Sequence, residues 1–93
     1  MSEYEQTLRD AIYAFGPNNQ KRKMIEEMAE LTKELAKEMI GEGVLEHITE
    51  EMGDVQILLD QLYLIYDNRN DVQESMDKKL ERLRGLIFEK TYG

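Results

Sequence analysis

The sequence predicts an all-α protein, and three observations lead to this fold class. Apolar residues recur every three or four positions along most of the chain, which is the spacing of one helix face. No useful length alternates apolar and polar residues with period two, so strands are not expected. The 93 residues contain a single proline and suffice for one small core. We therefore expect one helical domain, residues 1–93, arranged like a four-helix bundle with short connections.

The first two helices are marked by capping and turn residues. The segment Ser2–Glu5 has the spacing of a capping box, and Gly16–Pro17 should end the first helix. Asn18 or Asn19 is expected to cap the second helix, which should end at Gly41–Gly43. Their apolar stripes comprise Tyr4, Leu8, Ile12 and Phe15 in the first helix and Met24, Met28, Leu31, Leu35 and Met39 in the second.

The third and fourth helices follow from the same periodicity. The third should run from about Val44 to Tyr66, and the polar run DNRND predicts a turn after it. Asn70 is expected to cap the fourth helix. Their apolar stripes comprise Ile48, Met52, Val55, Leu59 and Leu62 in the third helix and Val72, Met76, Leu80, Leu83 and Ile87 in the fourth.

Composition limits the classes of function. The formal net charge is −8, whereas nucleic acid is usually met by basic patches, so we expect no nucleic-acid partner. The chain has no cysteine, which excludes disulfides, thiolate metal sites and a cysteine nucleophile. The acidic start does not resemble a signal or transit peptide, and no apolar run approaches the roughly 20 residues of a membrane span. We expect a cytoplasmic protein with no membrane partner.

Two acidic pentads, EEMAE at 26–30 and EEMGD at 50–54, form the most informative pattern. Each helical residue advances about 100° around the axis. On this count Glu51 falls within the arc of apolar side chains of the third helix, Asp54 falls at its edge, and Glu27 borders the apolar face of the second helix. A carboxylate carried into a core costs on the order of several kcal/mol unless it is paired, protonated or bound to a metal.

This placement predicts a cation site. If the second and third helices pack antiparallel, Glu27 and Glu30 come close to Glu51 and Asp54, and a divalent cation would relieve the repulsion among the carboxylates. A set of oxygen ligands suits Mg²⁺, with Mn²⁺ as a substitute. We interpret the lone His47 as a surface residue. The alternative is a solvated acidic face with incidental spacing.

The two pentads also carry a resemblance to a known family. Glu26-Glu27-x-x-Glu30, a spacer and Glu51-x-x-Asp54 resemble the E-E-x-x-E…E-x-x-D signature of MazG-like all-α nucleoside triphosphate pyrophosphohydrolases. The flanking segments RKMIEEMAELTKEL and HITEEMGDVQILLDQL strengthen the likeness, which covers nearly the whole chain. The resemblance implies an enzyme that uses Mg²⁺ to hydrolyse (deoxy)nucleoside triphosphates to nucleoside monophosphate and pyrophosphate.

The resemblance also implies roles for individual residues. The family's metal ligands correspond to Glu27, Glu30, Glu51 and Asp54. Glu26 would orient the attacking water or act as general base. The residues that would contact the phosphates or the substrate are Lys79 and Arg82 and, with weaker correspondence, Lys23 and Gln20. An ordinary basic complement to a helix C-terminus is the other interpretation of the Lys79 and Arg82 cluster.

Short members of this family assemble, so the resemblance implies a homodimer or homotetramer formed through the long second and third helices. Two alternative functions stay open. One is a non-catalytic helical oligomerisation or regulatory module in which the carboxylates hold a structural metal. The other is a hydrolase of a different phosphorylated metabolite.

Overall fold

A computed structural model describes all 93 residues and contains helices only. The elements are α1 (Glu3–Phe15), α2 (Pro17–Met39), α3 (Leu45–Tyr66) and α4 (Arg69–Tyr92). The all-α prediction and the four expected helices are therefore confirmed, with boundaries within a few residues of those expected. None of the four helices combines the length and the hydrophobicity that a membrane crossing requires.

The helix caps confirm one expectation and correct two. The backbone N–H of Glu5 donates to Ser2 Oγ at 3.0 Å, as the capping pattern predicts. The prediction that Asn18 or Asn19 caps the second helix was wrong. This helix begins at Pro17, whose fixed φ suits the first helical position, and Gly16 precedes it with φ of 91°. Asn70 was also wrong as a cap, because α4 begins at Arg69 after Asn68.

Helices α2 and α3 form the main packed pair of the chain. Gln20 on α2 bonds to Gln61 on α3, and Glu34 further along α2 approaches His47 near the start of α3. Because residue numbers rise along one helix as they fall along the other, the two helices are antiparallel. The buried apolar side chains are Leu8, Met24, Ile48 and Leu58.

Helix α1 packs against both α2 and α3 and completes this small core. Leu8 contributes the buried side chain of α1 and is 4% exposed. Near the start of the helix, the hydroxyl of Tyr4 donates a 2.6 Å hydrogen bond to Asp60 of α3. This bond, together with burial and the negative charge of Asp60, raises the pKa of Tyr4.

Helix α4 differs from the other three, since it contains no buried residue. Its start is fixed beside α3, where the Arg69 guanidinium lies 4.4 Å from the centre of the Tyr63 ring. The rest presents apolar side chains to solvent, and those at least 42% exposed are Met76, Leu80, Leu83, Leu86, Ile87, Phe88 and Tyr92. A single chain therefore leaves the predicted apolar stripe of its last helix uncovered.

Replacing Leu8 with alanine should lower the free energy of unfolding by about 2–5 kcal/mol, because it empties the site where α1 packs on α2 and α3. Leu45→Ala is the matched control. Leu45 is 75% exposed at the start of α3, so its loss should change stability by no more than about 0.5 kcal/mol. Urea unfolding followed by circular dichroism, at one protein concentration, measures both. Equal losses in the two variants would contradict the assignment of Leu8 to the core.

Candidate metal centre between helices α2 and α3

Three carboxylates from the two pentads meet across the α2–α3 interface. Glu27 lies on α2, while Glu51 and Asp54 lie one turn apart on α3 and so project from neighbouring positions of one face. One oxygen of each can be chosen so that all three lie within 4.8 Å of one another. The antiparallel pairing thus brings together residues that are far apart in sequence, since Glu27 and Asp54 are separated by 27 positions.

Glu51 is the most constrained of the three carboxylates. Its side chain is half-buried, as its position within the apolar arc of α3 indicates, and Glu51 Oε2 is fully buried without a hydrogen-bond partner. A buried carboxylate oxygen without a donor is costly, so it needs a proton or a cation. The oxygen-only donor set around it fits a hard divalent cation such as Mg²⁺.

The crowding of charges changes the acidity of two groups in opposite directions. A hydrogen bond that protonated Glu51 would donate to Glu27, together with burial and the negative charges of Glu27, Asp54 and Glu30, raises the pKa of Glu51 to about 7. The same hydrogen bond lowers the pKa of Glu27, and Lys23 lowers it further. Glu51 therefore keeps a proton up to a higher pH than Glu27 does.

Lys23 supplies the positive charge nearest to the three carboxylates. Its ammonium Nζ lies 3.2 Å from Glu27 Oε1 and 3.9 Å from Glu26 Oε2, one turn along α2. Contact with Glu27, followed by the charges of Glu27, Glu26 and Asp54, raises the pKa of Lys23. Of the weaker sequence candidates for substrate contact, Lys23 is thus located beside the carboxylates.

The two remaining acidic candidates lie at the edge of this centre. Glu30 is exposed and outside the group of three, and its carboxylate is 3.9 Å from the ammonium of Lys33. Its charge still contributes to the raised pKa of Glu51, so Glu30 lies close enough to act electrostatically. The side chain of Glu26 is 66% exposed and faces water rather than the helix interface.

A cavity of about 330 Å³ adjoins the carboxylates, and it is lined in part by Gln20, the remaining α2 residue that the sequence proposed for substrate contact. Gln20 lies at its far end, while Glu27 and Asp54 lie at the near end. Lys79 and Arg82 do not line this cavity, because α4 is not packed along the α2–α3 pair, and both residues are exposed. The site residues proposed from the sequence therefore fall into two sets. Those on α2 and α3 lie in or near one centre, whereas Lys79 and Arg82 lie apart from it on α4.

Two polar residues that the sequence did not assign to the interior are buried. Gln61 is 3% exposed and Glu34 is 8% exposed. The Glu34 carboxylate lies 3.7 Å from His47 and 3.8 Å from Lys37, so it is no solvated surface residue. A signal was present in both cases. Gln61 follows Asp54 by seven residues and Glu34 follows Glu27 by seven, a spacing that returns to nearly the same side of a helix.

Comparison with models of protein families, with curated proteins and with solved structures found no match to this chain. The class to which the fold and the carboxylates point is a small helical protein with a candidate divalent-cation centre. Membership in the MazG-like family remains a proposal that rests on the motifs.

The pKa of Glu51 leads to a prediction about the metal-free protein. Folded Glu51 keeps its proton up to about pH 7, whereas an unfolded glutamate releases it near its ordinary pKa of 4.5. Between these values the folded state binds more protons, so stability should fall as the pH rises through this window. The lowered pKa of Glu27 affects stability at a pH below this window, where the stabilisation from charged Glu27 is lost as the pH falls. Melting temperatures at pH 5 to 8 in a chelator measure the effect.

Glu51→Gln should flatten this fall, because the neutral amide has no proton to release. Glu50→Gln is the control, since Glu50 is the exposed neighbour of Glu51. Melting curves of the unaltered protein that do not change between pH 5 and 8 would contradict the raised pKa.

Proposed function

We propose that this protein is a Mg²⁺-dependent hydrolase of (deoxy)nucleoside triphosphates that releases a nucleoside monophosphate and pyrophosphate. The observation that carries the proposal is the meeting of Glu27, Glu51 and Asp54 within 4.8 Å, with one Glu51 oxygen buried and unpartnered. Three carboxylates so placed suit a cation that is shared with substrate phosphates. The E-E-x-x-E…E-x-x-D motif adds the reaction class.

Glu27, Glu51 and Asp54 would hold Mg²⁺, and Glu30 would add charge from the exposed side. When bound, Mg²⁺ neutralises the phosphate oxygens and lowers the pKa of a bound water. Mn²⁺ is the expected substitute because it accepts the same oxygen ligands. The fit rests on the donor set and on the unsatisfied Glu51 oxygen.

Glu26 is the proposed base. Glu26 immediately precedes the proposed ligand Glu27, and its exposed carboxylate would accept a proton from water at the open side of the site. The water oxygen would bond to one phosphorus atom of the α–β linkage while the bond from that phosphorus to the bridging oxygen breaks, so that nucleoside monophosphate and pyrophosphate separate and Glu26 holds the proton of the water. Lys23, already between Glu26 and Glu27, is placed to donate a charge-assisted hydrogen bond to a phosphate.

The working unit is proposed to be a homodimer or homotetramer. The long helices retain exposed apolar side chains, such as Ile25 and Met28 on α2, and the apolar stripe of α4 is uncovered. A second copy would remove this surface from water. In such an assembly Lys79 and Arg82 of α4 would add positive charge to the phosphate tail. Since nucleoside triphosphates are used in the cytoplasm, we place the activity there.

The first test is release of pyrophosphate from the four NTPs and four dNTPs with Mg²⁺, with the monophosphate identified as the other product. Glu51→Gln should lower kcat/KM by about 100-fold or more, because an uncharged amide replaces the most buried ligand. Glu50→Gln, one residue away and exposed, should keep full activity. If none of the eight nucleotides is cleaved with Mg²⁺ or Mn²⁺, the hydrolase proposal fails.

A second test separates an enzyme from a structural metal site. Glu26→Gln should lower kcat by about 10²–10⁴-fold, since it removes a general base. The Mg²⁺-dependent rise in melting temperature should persist, because the three central carboxylates remain. Glu51→Gln should diminish this rise. Full turnover in Glu26→Gln would show that another group, or water alone, takes the proton.

A further inference from the structure

The cavity beside the carboxylates has a second polar end. Gln61 of α3 and Gln20 of α2 lie there, with Leu58 and Ile57 contributing apolar wall. Gln61 is the most buried side chain of the chain, at 3% exposed. The volume of the cavity, about 330 Å³, is near the lower end of the range for ligand pockets, roughly 300–1,000 Å³.

The hydrogen bonds of the two amides leave groups free. Nε2 of Gln20 donates to Oε1 of Gln61 at 2.7 Å. No hydrogen bond within the chain uses Nε2 of Gln61 or Oε1 of Gln20. Neither atom is one of the fully buried polar atoms that lack a partner, so both stay accessible. Because both residues line the cavity, the pair offers one donor and one acceptor to a ligand there.

This arrangement has the hydrogen-bonding pattern of an amide edge. The Watson–Crick edge of a nucleobase also presents a donor beside an acceptor, and free bases are recognised on this edge. If both amides rotate by 180°, donor and acceptor exchange places, and the pair still offers one of each. Leu58 and Ile57 are suited to the apolar face of a ring.

The spacing between the two ends suits one extended ligand. Gln20 precedes Glu27 by seven residues, and Gln61 follows Asp54 by seven. Seven helical residues rise about 10 Å, so the amide pair lies about 10 Å from the carboxylates on both helices. This distance is comparable to the span from the phosphate next to the sugar to the far edge of the base in a nucleotide.

We infer that this end of the cavity is the base subsite, in which Gln61 and Gln20 bind the hydrogen-bonding edge of a nucleobase and determine base preference. The inference rests on the proposed function, because that function makes the ligand a nucleotide whose phosphates lie at the carboxylates. It adds a recognition element that neither acidic pentad contains.

The test is calorimetric binding of the four deoxynucleoside monophosphates and of deoxyribose 5-phosphate, which lacks a base. The unaltered protein should bind at least one nucleotide about ten-fold or more tightly than deoxyribose 5-phosphate. Gln61→Leu should remove about ten-fold of this preference, through the loss of hydrogen bonds to a buried amide. Its affinity for deoxyribose 5-phosphate should stay unchanged.

Gln56→Leu is the matched control. Gln56 lies on the same helix but is exposed and bonds to Asp60, so its replacement should leave the preference intact. Circular dichroism first checks that each variant is folded. If Gln61→Leu is unfolded, Gln20→Leu replaces it, because Gln20 is only half-buried and belongs to the same pair.

Three outcomes would overturn the inference. The first is equal affinity of the unaltered protein for the nucleotides and for deoxyribose 5-phosphate. The second is full base preference in both Gln61→Leu and Gln20→Leu. The third is equal weakening of all probes in these variants, which would make the amide pair a structural contact between helices.

Turnover separates this inference from the proposed function. Cleavage of inorganic tripolyphosphate with the same kcat/KM as the best nucleotide would support chemistry at the carboxylates and overturn the base subsite. Base-dependent binding that Gln61→Leu abolishes, without hydrolysis of any nucleotide, would support the subsite and contradict the proposed hydrolase.

Discussion

The constraint on which the rest of the structure depends is the repulsion among Glu27, Glu51 and Asp54 at the centre of the α2–α3 interface. Carboxylates at this separation cannot all be charged at little cost, and one Glu51 oxygen has no partner in the chain. The chain compensates in two ways. Lys23 neutralises Glu27 from one side, and the pKa of about 7 lets Glu51 keep its proton. Both compensations lower the cost of holding the carboxylates together without a cation.

The same interface has to supply most of the packing. Polar side chains recur at seven-residue steps along α2, at Gln20, Glu27 and Glu34. One side of α2 therefore makes polar contacts with α3. The apolar remainder buries few side chains, and α1 must add Leu8 to complete the core. A small domain with little buried apolar surface would gain from assembly, so the proposed homo-oligomer would account for the exposed stripe of α4.

Periodicity predicted the helices well because a helical stripe is a local property. It also predicted that Glu51 faces the core, since its angle relative to Ile48 and Val55 needs no knowledge of the neighbouring helix. The caps were harder. Asn18 could not begin a helix that Pro17 had already begun, and Asn70 lies within a helix that starts at Arg69. Gln61 returns to the side of Asp54 after seven residues, but it was missed because an uncharged amide on a helix raises no electrostatic conflict in the sequence. Its significance appears only when Gln20 is placed across from it.

The charges of the centre suggest how binding and catalysis would be coupled in the proposed enzyme. A bound cation would displace the proton of Glu51 and would compete with the Lys23 ammonium for Glu27. Lys23 stays attached to α2 and keeps its charge, so cation binding would raise the positive charge of the centre, which favours anionic phosphates. Because Lys23 lies where the cavity meets the carboxylates, its ammonium, once released from Glu27, would be placed to donate to the phosphates of the proposed substrate.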